Sequence, residues 1–176
     1  MERLIEVEYR CNLYLKPKIL RVFPDAKAEG GVSIIDTYFL FKSDGEQHRV
    51  RQVSGPEWEK HYQMKKHPLD GFLVENSSPL GRADYESLIG STPAVVTVSG
   101  YREAFKHGSL TLCADDLPSI GRWTEFEILV ETESEVSRAE AEIIAAVKRL
   151  DVDPDKLTKE LYPSLVLKKN GRTYHC

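Results

Sequence analysis

The sequence predicts an α+β fold in which an antiparallel sheet of about eight strands curls into a closed or nearly closed barrel with flanking helices. Three observations carry that expectation. Most of the chain reads as short segments of period-two alternation divided by turn residues, and only one segment has a long helical period. Two of these segments, Leu4–Arg10 and Trp123–Ile128, place like-charged carboxylates on one strand face: Glu6 and Glu8 in the first, Glu125 and Glu127 in the second. Finally, acids and bases are segregated by strand, each set opposite an apolar face. A sheet that turns its apolar faces outward onto helices and its charges inward satisfies both, and a barrel of about eight strands is wide enough to hold a small ligand.

Taken in order, residues 4–15 read as a strand with Glu6, Glu8 and Arg10 on one face and Ile5, Val7, Tyr9 and Cys11 on the other. Pro17 suits the first turn of a short helix from Lys16 to Phe23. Gly30-Gly31 reads as a turn, and Val32–Lys42, rich in β-branched and aromatic residues, as a strand. Ser43-Asp44-Gly45-Glu46 is a hairpin turn returning through His48–Val53, where Arg49 and Arg51 share a face. Trp58–Lys66 alternates again, with Lys65 beside Gln63 and opposite Tyr62 and Met64. His67–Leu80, with Pro68, Gly71 and Pro79, reads as a loop. Arg82–Ile89 fits helix or strand; if extended, it aligns Arg82, Asp84 and Glu86. Ala94–Phe105 and Ser109–Ala114 form a strand pair around His107-Gly108, followed by the strand Trp123–Glu131. Ser137-Arg138-Ala139-Glu140 reads as a capping box opening a helix to Leu150, with Ile143, Val147 and Leu150 on its stripe and Ala139 and Ile144 beside it. Asp153-Pro154 ends it and starts a further short helix.

The 176 residues fit one domain, 1–176, and are 41% apolar with a net charge of −4 and a pI near 5.8. That balance speaks against a bulk nucleic-acid binder but not against an anionic small ligand, because local charge can oppose the average. No apolar run approaches the ~20 residues of a membrane helix. Glu2, Glu6 and Glu8 interrupt any apolar leader. Cys11, Cys113 and Cys176 make no CxxC and no disulfide framework, which points to a reducing, cytoplasmic setting. The five histidines lack HExxH spacing, and neither GxxxxGK nor GxGxxG occurs. Trp58, Trp123 and Cys113 read as packing residues.

Inward charges on a barrel are costly unless water, metal and a polyanion occupy the bore. Arginines suit phosphate oxygens, and carboxylates suit hard divalent cations. With these residues in place, the sequence resembles the CYTH family of class IV adenylyl cyclases and thiamine triphosphatases, among the triphosphate tunnel metalloenzymes. Glu6-Val7-Glu8-Tyr9-Arg10 is similar to the family's opening Glu-x-Glu-x-Lys, and Asp36-Thr37-Tyr38-Phe39 to its Asp-x-Tyr-Phe strand. Arg49-Val50-Arg51 follows, then Lys65 as a strand-ending lysine, Arg82-Ala83-Asp84-Tyr85-Glu86, Arg102, and Asp115, Gly121, Glu125 and Glu127 at the closing spacing. The resemblance spans residues 4–167. It departs at Ile34, where the family often has Gln, and at Ser99-Gly100, where a Lys often precedes the late arginine.

The resemblance implies a tunnel binding a triphosphate with Mg²⁺ or Mn²⁺. Arg10, Arg49, Arg51, Lys65, Arg82 and Arg102 would hold substrate phosphates, and Glu6, Glu8, Asp115, Glu125 and Glu127 the metal. Glu6, Glu8, Lys65 and Arg102 would serve the chemistry. The implied activity is hydrolysis of a phosphoanhydride of ATP, thiamine triphosphate or tripolyphosphate. The alternatives are conversion of ATP to cyclic AMP and pyrophosphate, and a polyphosphate- or nucleotide-binding module without turnover. A homodimer remains open, and neither membrane nor nucleic acid is an expected partner.

Overall fold

The computed structural model describes residues 4–69 and 72–172; Glu2, Gly71 and Cys176 lie outside this set. Eight strands form a closed antiparallel barrel in the order β1-β5-β4-β3-β2-β6-β7-β8. They are β1 (Leu4–Cys11), β2 (Lys27–Phe41), β3 (Gln47–Ser54), β4 (Glu59–Leu69), β5 (Phe72–Leu80), β6 (Val96–His107), β7 (Leu110–Leu117) and β8 (Gly121–Val130). The helices are α1 (Lys16–Val22), α2 (Arg82–Ser91), α3 (Val136–Arg149) and α4 (Tyr162–Lys169). No helix of the described residues is long and apolar enough to cross a membrane.

The expected inside-out arrangement is the one found. The outward side chains of β1, β7 and β8, among them Val7, Leu112, Phe126 and Ile128, pack under α1 and α3 through Ile19, Phe23, Ile143 and Val147. The α3 stripe follows from its spacing: Ala139, Ile143, Ala146 and Val147 are buried. Its lead-in differs from expectation. The capping box is Thr132–Glu135, heading a short 3₁₀ turn before α3, so Ser137 to Glu140 already lie inside the helix. A second core lies on the bore side. Tyr162, Val166 and Leu167 of α4 pack on Tyr38, Val96, Val98, Leu117 and Trp123, closing one end of the barrel. Helix α4 carries only a short apolar set and has no counterpart in the sequence reading.

Other elements correct that reading for physical reasons. The first strand stops at Cys11 rather than residue 15. Gly30-Gly31 is not a turn but an irregularity inside the 15-residue β2: the register shifts between Ala28 and Gly31, and Gly30 takes φ 86°. His67–Leu80 is not a loop. It completes β4 and forms β5, whose Asn76-Ser77-Ser78-Pro79 stretch has little strand propensity. Among the described residues, strand β1 pairs with β5 at Leu4–Glu75 and Ile5–Val74, and residues 76–80 pair with β4, so Pro79 takes an edge position where proline is tolerated. Arg82–Ser91 resolves as a helix. An Arg82 Nε–Glu86 Oε1 bond of 2.8 Å joins successive turns, and no α2 side chain is buried.

Candidate functional site: a charged bore

Strand pairing decides which side chains meet. Residues opposite one another in an antiparallel ladder point to the same face. Arg10 opposes Glu125 and Glu8 opposes Glu127 across β1–β8; Asp36 opposes Arg51 and Tyr38 opposes Arg49 across β2–β3. Arg49 opposes Met64, Gln47 opposes Lys66, and Lys66 opposes Glu75. Arg102 opposes Asp115 across β6–β7. The inward residues converge on one cavity of about 60 Å³. Its lining includes five cations (Arg10, Arg49, Arg51, Lys66, Arg102) and six carboxylates (Glu6, Glu8, Asp36, Glu75, Glu125, Glu127).

These charges are paired with one another. Arg51 donates twice to Asp36, at 2.7 Å each. Arg102 forms a second fork on Asp115, at 2.7 and 2.8 Å, and reaches Glu125 at 3.0 Å. Arg10 donates to Glu125 at 3.1 Å and pairs with Glu8. Arg49 donates to the Tyr38 hydroxyl at 2.9 Å and to Glu75 at 3.3 Å. Lys66 pairs with Glu6 and lies 3.8 Å from Glu8 and 3.5 Å from Glu75.

The pairing sets the protonation. Burial opposes ionisation of Asp36, but Arg51 and Arg49 outweigh it and hold the carboxyl at about 2. Burial is likewise outweighed at Glu6 by Lys66, Arg49 and Arg10, again to about 2. Glu127 goes the other way: burial, then Glu6 and Glu125, push its carboxyl up to about 8. Glu6, Glu8 and Glu127 bring one carboxylate oxygen each within 4.8 Å of the others. An all-oxygen set at that spacing fits a hard divalent cation such as Mg²⁺ or Mn²⁺.

The structure brings together most of the residues the sequence singled out and leaves out three. Glu6, Glu8, Arg10, Arg49, Arg51, Arg102, Glu125 and Glu127 line the cavity. Lys65 is exposed on the outer face. Its neighbour Lys66 points inward, because Met64 shares a face with Arg49 and the period of two then selects 66. Tyr62 and Met64 made their face of β4 look like an outer one, which is what hid Lys66. Arg82 sits on the exposed α2. Asp115 is fully buried behind the cavity, held by Arg102 and by the Tyr162 hydroxyl, which donates to it at 2.7 Å.

Asp36, Glu75 and Lys66 were missed as site residues; the register of β2 to β5 identifies each. The C-terminal segment was missed too. Thr158 exchanges two 2.8 Å main-chain bonds with Arg10, Glu160 O accepts from Arg10 Nη1 at 3.3 Å, and the Tyr162 ring lies 4.8 Å from the Arg10 guanidinium. At the two departures, Ile34 is buried opposite Gly100. A β-carbon on Gly100 would run into the Asp116 carbonyl and the Leu117 side chain, so that wall carries no extra phosphate grip.

Fold and site together define an antiparallel tunnel barrel with an ion-paired bore, the architecture that the CYTH resemblance implies. No protein-family model matches the sequence, and no curated protein does. Solved structures share the fold. The PH1819 protein of Pyrococcus horikoshii is similar at a TM-score of 0.79 and 19% identity, over 93% of this chain and 99% of that one. The PH1012 protein of the same organism gives 0.75 and 22%, over 93% and 99%. A "putative adenylate cyclase" of Vibrio parahaemolyticus gives 0.75 and 14%, over 92% and 97%.

Proposed function

We infer that this protein binds a triphosphate in its bore and hydrolyses a phosphoanhydride bond with the help of a divalent cation. The observation that carries the reading is the convergence of Arg10, Arg49, Arg51, Lys66 and Arg102 with the Glu6, Glu8 and Glu127 carboxylates in one cavity. Five cations set among six carboxylates match a polyanion that arrives with a divalent cation, and a low-dielectric wall strengthens each contact. Arg51 and Arg102 are preorganised by their forks on Asp36 and Asp115, so little reorientation is needed when charge builds on the phosphoryl oxygens. Glu6, Glu8 and Glu127 would hold Mg²⁺ or Mn²⁺, with Glu125 beside them. When bound, the cation supplies charge neutralisation and a more acidic water. Glu6, Glu8 and Glu127 would also orient that water toward the phosphoryl group.

The cavity of about 60 Å³ holds about two waters. A triphosphate therefore enters by displacing Glu8, Glu75 and Glu6 as partners of Arg10, Arg49 and Lys66, while the forks of Arg51 on Asp36 and Arg102 on Asp115 stay in place.

A class IV cyclase reaction, in which the ribose 3′-hydroxyl attacks the α-phosphate and pyrophosphate leaves, would use the same cations. The name of the Vibrio neighbour makes it the second reading. Incubation with ATP, thiamine triphosphate and tripolyphosphate in Mg²⁺ or Mn²⁺ separates the two: orthophosphate release supports hydrolysis, and cyclic AMP with pyrophosphate supports the cyclase. Metal-independent binding without either product leaves the non-catalytic binding module.

A further inference from the structure

We propose that Lys66 is an internal counter-cation: its ammonium group stands in for the divalent ion at the Glu6–Glu8 carboxylates and leaves them for phosphate when substrate arrives. The inference rests on the proposed reading of the bore. It adds a device that couples the two ligands through one side chain.

The geometry points to it in three ways. The Lys66 side chain is 3% exposed, so its charge finds compensation only inside the bore. Its partners include two members of the cluster spaced for a cation, Glu6 and Glu8. It also has a second place to go. Glu75, directly across the β4–β5 ladder, lies 3.5 Å from its Nζ and bonds Arg49 as well. A four-carbon stem lets the ammonium swing between these carboxylates with no change in the backbone. An ammonium and a divalent ion repel strongly a few ångströms apart in a buried site, so they cannot both be held tightly by Glu6 and Glu8. A phosphate in the bore offers Lys66 a new anionic partner and frees Glu6 and the Oε2 oxygen of Glu8, whose Oε1 stays with Arg10. Metal and phosphate then favour each other's binding, reciprocally.

The test is Mn²⁺ affinity measured by electron paramagnetic resonance on the full chain, with and without inorganic phosphate, a weak chelator. In wild type, phosphate should tighten Mn²⁺ binding several-fold. Lys66→Met should bind Mn²⁺ about tenfold more tightly without phosphate and lose the phosphate effect. Lys65→Met, which removes the same charge from the outer face, should behave as wild type. Unchanged or weaker Mn²⁺ binding by Lys66→Met overturns the proposal, as does an equal gain in Lys65→Met.

Should Lys66→Met fail to fold, lysine-labelled wild type serves. On titration with Mg²⁺ the side-chain resonance of Lys66 should shift while that of Lys65 stays; Mg²⁺ binding with no shift at Lys66 overturns the proposal. Failure of the functional reading looks different. Wild type would then turn over no triphosphate, yet the Mn²⁺ comparison would still discriminate.

Discussion

Replacing Asp36 with asparagine tests whether the bore is held by its internal charge pairs. Asp36 is 4% exposed and receives both 2.7 Å bonds of the Arg51 fork, with Arg49 Nε at 3.8 Å. Asn keeps the shape but removes the charge that compensates a buried guanidinium. The folded carboxyl sits at about 2 against an unfolded value near 4. That difference amounts to about 3 kcal/mol of stability at neutral pH, and the buried Arg51 left without its partner keeps the expected loss at no less than that. For a chain of this size that lowers Tm by about 6–12 °C.

The sign follows from the depressed value. The Asp36 contribution is fully present above about pH 4 and is lost as pH falls through about 2, so the gap between wild type and Asp36→Asn narrows over that window. Urea unfolding followed by tryptophan fluorescence, from pH 7 down to pH 3, reads both quantities. A loss below about 0.5 kcal/mol at pH 7, or a gap that widens as the solution is acidified, would refute the pairing argument.

Three further predictions use other parts of the structure. Glu127→Gln removes a carboxylate that is repelled by Glu6 and Glu125, so divalent-metal affinity should fall at least about tenfold while the Tm of the metal-free protein does not drop; parallel calorimetry and melting curves check this. Gly100→Ala puts a β-carbon against the Leu117 side chain, 2.7 Å from its Cδ2, and against the Asp116 carbonyl, which should cost about 2 kcal/mol in chemical denaturation. Lys65→Ala and Arg82→Ala lie outside the cavity and should leave triphosphate turnover within about twofold of wild type, whereas Arg51→Ala should lose it; initial rates on one substrate decide.

Much of this bore was legible in the sequence because period-two alternation states which residues share a face before any partner strand is known. Glu6, Glu8 and Arg10 had to point together, as did Arg49 and Arg51, and Glu125 and Glu127; all seven line one cavity. The stripe of α3 was legible for the same kind of reason, with a period of 3.6.

What alternation leaves undecided is which face of each strand is the inner one, and which strands are neighbours. On β4 the apolar look of Tyr62 and Met64 suggested the outside, and only pairing with Arg49 put Met64, and therefore Lys66 rather than Lys65, into the bore. Strand β5 needed a neighbour to exist at all, since its local propensity is poor and its ladder to β4 supplies the order. The strap from Thr158 to Tyr162 is more than 140 residues from Arg10 in sequence, and no local pattern announces that contact. The amino-acid order by itself determined the strand faces, the segregation of charge and the barrel class, because those follow from local periodicity. Tertiary structure alone decided the register, the closure by α4 and the identity of the buried lysine, because each depends on the partner a segment meets across the barrel.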